Sequence, residues 1–414
     1  MENKLNITVL KDIVQDCNIN FLLGSGMSMP YLSTLGKIEQ FLTEITEKKE
    51  SGEISNDQEK IIRVSLYKNF FDGAILKNLE ILKNNNDTSN VLSNYKTFLK
   101  TLNSILLNRK STILNKQVNL FTTNVDIFLE KSLENTNVEY NDGFSGRFEP
   151  LFNLTNFKKS FFKTSLHYDN TSELPVFNLM KIHGSLTWEK RKIANKKDID
   201  IFFDQNLKIV EDVKNKTIPT NIIDIDELCK KRKKEVKDEK YELTIDDLIS
   251  EANGKISDTS VNEFIAEYEK LAIVNPTKEK FRETVLNRNY YELLRIYSNE
   301  LEKENTVLFV AGFSFADEHI RDVTVRVANS NPTLKIYIFS HSSNIDAGTQ
   351  QIQDEVNNNN VEIVTPSQKE NGKKEMVDDF KYNLQNLSEK VFGKILEKIG
   401  ETEDEKEQVK NEKK

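Results

Sequence analysis

The sequence predicts an α/β fold, a mostly parallel sheet with helices on both faces plus a helical insertion, and two observations predict it. Short apolar runs alternate with segments of helical periodicity. Each of five apolar runs ends on a small or polar cluster, as strands do where they deliver loops to the ligand edge of an open α/β sheet.

The elements follow in order. Residues 6–16 place Ile7, Leu10, Ile13 and Val14 on one helical face. Asn20-Phe21-Leu22-Leu23 is a short apolar run ending on Gly24-Ser25-Gly26, and a helical pattern follows from about Ser33 to Lys48. Residues 58–107 read as helical through Ile61, Val64, Leu66, Leu76, Leu79, Leu82, Tyr95, Phe98, Leu102, Ile105 and Leu106, broken by a polar loop at 84–90. Val118–Thr122 is the second strand and runs into Thr123-Asn124-Val125-Asp126. Phe177–Ile182 is the third and ends on His183-Gly184-Ser185. Thr306–Ala311 is the fourth; it ends on Gly312-Phe313-Ser314-Phe315 and leads to a helix through Glu318 to Val327. Lys335–Phe339 is the fifth and ends on Ser340-His341.

This order divides the 414 residues into 1–185 and 301–395 as two parts of one domain, with 186–300 as an insertion or second subdomain. The insertion carries charge-rich stretches at 190–197 and 230–240, and helical periodicity around Leu271, Phe281, Leu286, Tyr290 and Leu294. Residues 396–414 read as a charged, disordered tail.

Composition limits the function classes. A net charge of −8 argues against gripping nucleic acid over the whole surface and leaves a local patch or a partner to do so. The two cysteines, Cys17 and Cys229, lie far apart and outside any CxxC pair, so no four-cysteine zinc site and no disulfide framework is expected. The N-terminus has no apolar leader, and no apolar run nears the roughly 18 residues of a membrane span, so a cytoplasmic protein is expected.

Taken singly, the strand-end clusters carry little. Gly24-Ser25-Gly26-Met27-Ser28 suits a phosphate-cradling turn or any strand-to-helix turn, and it lacks both the GxGxxG and the GK[ST] spacing. Asn124 and Asp126 suit a ribose-binding loop or a helix cap. His183 suits a general base or a structural imidazole. Asp317 and Glu318 suit the first turn of a helix.

Together and in order, the clusters resemble the sirtuin family. Its Gly-Ala-Gly-x-Ser, Thr-Gln-Asn-(Ile/Val)-Asp, His-Gly and Gly-(Thr/Tyr)-Ser motifs are similar to Gly24–Ser28, Thr122–Asp126, His183-Gly184 and Gly312-Phe313-Ser314. The run from Gly312 to Ile320 is similar to the bacterial sirtuin-like branch associated with anti-phage defence.

The resemblance implies a Rossmann-like domain that binds NAD as substrate and needs no metal. It casts Asn124 and His183 as catalytic. Asn124 positions the water or the nicotinamide ribose, and His183 acts as base or orients the ribose hydroxyls. Gly24, Ser25, Gly26, Met27 and Ser28 cradle the pyrophosphate, Asp126 holds the nicotinamide side, and Thr123 is a further cofactor-binding residue. Gly312, Ser314 and Ser340 line the adenosine side.

Two departures shape the expected reaction. The four cysteines of the deacylase zinc ribbon are missing, and Pro30-Tyr31-Leu32-Ser33 stands where many sirtuins carry an arginine. Water is therefore the expected acceptor, giving an NAD hydrolase that depletes NAD in prokaryotic defence. The alternatives are a protein deacylase or ADP-ribosyltransferase, and a non-catalytic NAD or ADP-ribose sensor. Restraint of such an activity implies a homo-oligomer and a separate sensing chain, by family analogy a HerA-type hexameric ATPase that would also provide any contact with nucleic acid.

Overall fold

A computed structural model describes residues 5–401 except 35, 84–87, 112, 193–198, 218, 220, 275–287, 371–372 and 377–379. Seven strands form the main sheet: β1 (Asn18–Leu23), β2 (Gln117–Thr122), β3 (Glu139–Asn141), β4 (Val176–Lys181), β5 (Thr306–Ala311), β6 (Leu334–Phe339) and β7 (Val361–Val364). Their spatial order is β7-β6-β5-β1-β2-β4-β3, and every neighbouring pair is parallel. The Rossmann-like α/β arrangement is therefore present.

The inner strands are apolar almost without interruption because helices cover both faces. Alternate residues of β1 enter opposite cores. Phe21 meets Phe98, Phe309 and Phe392, with ring centroids 5.2–5.4 Å apart. Leu22 faces the other core, where Phe121 packs edge-on against Tyr297 at 5.0 Å. A fully buried phenylalanine side chain contributes about 1.5–3 kcal/mol of transfer free energy, so this aromatic group fixes the first face firmly.

Several elements differ from the sequence reading. The helix after the glycine loop is Ile38–Glu50, preceded by a 3₁₀ turn at Ser25–Ser28. Leu32 turns into the core and the Gly73 carbonyl takes the Ser33 N–H, so residues 31–33 are held out of the helix. The edge strands β3 and β7 were not anticipated, since one is polar and both are short.

The middle of the chain holds strands as well as helices. Residues 144–145, 151–152, 188–192 and 199–203 form a four-stranded antiparallel sheet that straddles residue 185. Helices Lys208–Lys214, Ile225–Val236, Ile245–Ala252 and Thr259–Tyr268 follow. The last of these packs on helix Asn56–Phe70, where Tyr67 and Tyr268 stack at 4.4 Å. Helix Arg288–Leu301 belongs to the main sheet instead, since Tyr297 lies under Phe121. Leu271 is not helical and lies in a strap described below, while Phe281 and Leu286 fall outside the described residues. At the C-terminal end, residues 393–401 are helical and bury Ile395 and Ile399. The remainder of the charged tail, 402–414, also falls outside the described residues. No helix among the described residues is long and apolar enough to cross a membrane.

Candidate active site

The chain runs from β1 towards β2 on one side and later resumes at β5 on the other, so the topological switch lies at β1. Loops diverge there and open a crevice at the carboxyl ends of the strands. A cavity of about 490 Å³ occupies it. That lies inside the range of about 300–1,000 Å³ common for small-molecule sites. The loops after β1, β2, β4, β5 and β6 all line it, and so does every residue that the resemblance casts as catalytic or cofactor-binding except Gly24.

Gly24 has a different duty. A Cβ there would lie 2.3 Å from the Gly312 carbonyl oxygen, and a Cβ on Gly312, whose φ is +63°, would lie 2.6 Å from the Met27 nitrogen. The Gly26 N–H donates to the Gly312 carbonyl and the Met27 N–H to the Gly24 carbonyl, each at 3.0 Å. The glycines thus let the β1 and β5 loops touch backbone to backbone, and those two amides hold the loop rather than a phosphate.

Beneath the loops lies a buried polar group. Ser28 Oγ donates to Asp126 Oδ2 at 2.8 Å, and Asn124 Nδ2 donates to Ser28 Oγ at 3.4 Å. Tyr95, from helix Ser89–Leu107, lies 3.1 Å from Ser28 Oγ through its hydroxyl. Burial, reinforced by the Asp126 carboxylate, pushes the Tyr95 hydroxyl well above its ordinary pKa and keeps it neutral. Asp126 Oδ1 accepts the Phe128 N–H at 3.0 Å, so its carboxylate tethers both the glycine loop and the following helix. Asn124 is 5 % exposed, and its Oδ1 has no hydrogen-bond partner among the described residues. An acceptor so placed suits a hydroxyl, an amide or a water brought in with a ligand.

A second network fixes the other wall. Lys181, buried at the end of β4, donates to the Asp126 carbonyl and to Glu130, whose Oε1 lies 3.0 Å away. Ser185 Oγ donates to the same Glu130 oxygen at 2.9 Å. The β2 and β4 loops are thereby locked together around His183.

His183 Nε2 lies 3.1 Å from Asp317 Oδ2. Asp317 is the N-cap of helix Glu318–Ser330, not a residue of its first turn. The strap 271–274 crosses beside this pair: Val274 N–H donates to the His183 carbonyl at 2.9 Å, and Gly184 bridges Ile273. Gly184 has φ +78°, and a Cβ there would lie 2.0 Å from the Ala272 carbonyl oxygen. At the far end, Ser340 Oγ donates to its own loop at the Ser342 carbonyl, 2.8 Å away. Burial and the nearby Lys381 ammonium hold the His341 imidazole below its usual pKa.

Tyr95, Asp317, Ile273 and Val274 were not legible as site residues. Tyr95 sits in a core-like helical stripe, Asp317 has the signature of a helix start, and the strap pairs across ninety residues of chain. No lysine or arginine lines the cavity among the described residues, which leaves Glu39, Asp126, Asp317 and Asp346 as its carboxylates. No group of three or more His, Cys, Asp or Glu side chains that could hold a metal ion is found among the described residues.

No curated protein matches the chain. The family described as SIR2-like domain matches residues 248–364, from the insertion through β7, and so covers the strap, Gly312, Asp317 and Ser340. Asn124, His183 and the Gly24–Ser28 loop lie outside the matched stretch and meet it in the cavity. Over residues 248–364 the chain is similar to a SIR2-like domain, and the parallel sheet is consistent with that fold.

Proposed function

We propose that the cavity binds NAD and cleaves its nicotinamide–ribose bond with water as acceptor. The observation that carries this reading is Asn124 Oδ1, a buried acceptor without a partner, in the same cavity as His183. Loss of nicotinamide leaves an oxocarbenium-like ribose, which fixed dipoles in a dry pocket stabilise. Asn124 holds the incoming water or a ribose hydroxyl, and His183 takes the proton. Two features favour water over an acyl-lysine: the chain has only two cysteines, and the strap covers the His183 loop. The same reading makes the protein the NAD-depleting effector of a prokaryotic anti-phage system, restrained by self-assembly and by a HerA-type ATPase partner.

The test is chromatography of nicotinamide and ADP-ribose after incubation of the purified chain with NAD, alone and with candidate partners. Asn124→Ala and His183→Ala are each expected to lower turnover about 10²–10⁴-fold, the range for loss of a positioned acid–base group. Turnover that requires an acyl-peptide would overturn the hydrolase reading. Tight NAD binding without product under every condition would favour a sensor.

A further inference from the structure

Resting on the NAD-cleavage reading, we propose that Asp317 is the positioning residue of His183: its carboxylate accepts the hydrogen of Nε2 and leaves Nδ1 as the basic nitrogen. The two residues follow β4 and β5, strands that β2 and β1 separate in the sheet, yet their side chains meet at 3.1 Å. They are 13 % and 6 % exposed, so little water competes.

Helix capping does not account for this geometry. Asp317 Oδ1 alone accepts both cap hydrogen bonds, from the His319 N–H at 3.1 Å and the Ile320 N–H at 3.4 Å. The second oxygen, Oδ2, is the one that faces the imidazole. Capping therefore clamps the carboxylate while its other oxygen addresses His183. The chain enters this arrangement through Phe315, which is fully buried and holds φ +55°. A bulky residue in that region costs about 1–2 kcal/mol, a strain that gathers at sites where direction matters.

A neutral imidazole carries one proton, and the partner of one nitrogen decides which nitrogen that is. In the step that follows, the C1′–nitrogen bond of NAD breaks and its electron pair leaves with nicotinamide. The water oxygen bonds to C1′ and its proton passes to Nδ1. Asp317 then faces an imidazolium and remains a carboxylate; release of that proton to solvent restores the base. The atoms sum to NAD and water giving nicotinamide, ADP-ribose and a proton.

Asp317→Asn separates this role from folding, because asparagine caps helices as well as aspartate does. Its amide would donate to Nε2 and drive the proton onto Nδ1. The expected result is a kcat lower by about 10²–10⁴-fold with KM for NAD and the unfolding midpoint little changed, as when a base is held in the wrong tautomer. Asp317→Ser, which keeps a cap but does not reach the imidazole, is expected to lose kcat as well. Nitrogen-15 NMR of the four histidines, with His183→Gln assigning the signal, reads the tautomer without substrate. It should show Nε2 protonated in the wild type and Nδ1 protonated in Asp317→Asn. Wild-type kcat in both variants, or an unprotonated Nε2 in the wild type, would overturn the proposal. Absence of NAD turnover in the wild type would overturn the functional reading alone, and the tautomer would still decide the role of Asp317.

Discussion

Ser28, Tyr95, Asn124 and Asp126 divide a small set of donors and acceptors among themselves, and the division leaves one acceptor, Asn124 Oδ1, without a partner among the described residues. Leaving a buried amide oxygen unmet costs about 1–3 kcal/mol, which a ligand hydroxyl or water offsets on arrival. Asp142 illustrates a different cost at the same scale. It lies just after β3, where burial raises its carboxyl from 3.8 to about 6, with the carboxylates of Glu130 and Glu134 adding to the effect. The folded state therefore binds this proton more tightly than the unfolded chain. Its penalty is absent below the unfolded value, grows as pH rises through the interval, and is complete above pH 6. Asp142→Asn keeps an oxygen for the Phe144 N–H that Asp142 Oδ1 now accepts at 3.0 Å. It should raise stability at pH 8 by up to about 3 kcal/mol and by almost nothing near pH 3. Urea titrations at the two pH values measure this, and an equal effect at both would refute it.

Across the sheet, a row of asparagines joins four strands. Asn119 donates to Asn20 Oδ1 at 2.8 Å and accepts from Asn178 at 2.9 Å, and Asn178 accepts from Asn141 at 2.9 Å. The row is anchored below by Glu300, to which Asn119 donates at 3.2 Å. Burial pushes the Glu300 carboxyl up, but the ammonium groups of Lys158 and Lys303 together hold it below its ordinary range. These residues are exact register partners: Asn20 with Asn119, Asn119 with Asn178, Asn178 with Asn141. A slip of one residue would set each amide against an apolar side chain, so the row specifies alignment among strands whose central residues are otherwise mostly apolar. Asn119→Leu keeps the branching at Cγ but removes partners from Asn20, Asn178 and Glu300, and should cost about 3 kcal/mol or more in urea unfolding. A neutral result would show that the row is dispensable.

This row also marks what the sequence reveals and what it hides. Asn119 and Asn178 sit inside runs that read as strands, and nothing local says that they meet. The five central strands were legible because burial on both faces makes them continuously apolar. β3 was not, since Glu139-Tyr140-Asn141 pairs on one side only and shows no apolar run. Asn124 and His183 were legible as strand-end residues, and the structure brings both to the cavity. Tyr95 and the strap were not, because their roles arise from contacts across long stretches of chain.

At the scale of the whole molecule, one crevice is assembled from parts far apart in the chain. The Gly24 loop is locked to Gly312, the β2 loop to the β4 loop through Lys181 and Glu130, and the strap to His183. Phe392 from the C-terminal segment meets Phe21, Phe98 and Phe309 beneath β1 and β5, so the last elements of the chain support the first loop of the site. The family match covers the strap and the β5 and β6 loops of this crevice, and Asn124 and His183 lie outside the matched stretch. The most direct measurement is therefore the full product balance of the purified chain with NAD and no added acceptor, combined with the intact mass of the protein. The account predicts nicotinamide and free ADP-ribose in equal amounts and an unchanged protein mass. Nicotinamide released with ADP-ribose attached to the protein, or released only when an acyl-peptide is supplied, would contradict it.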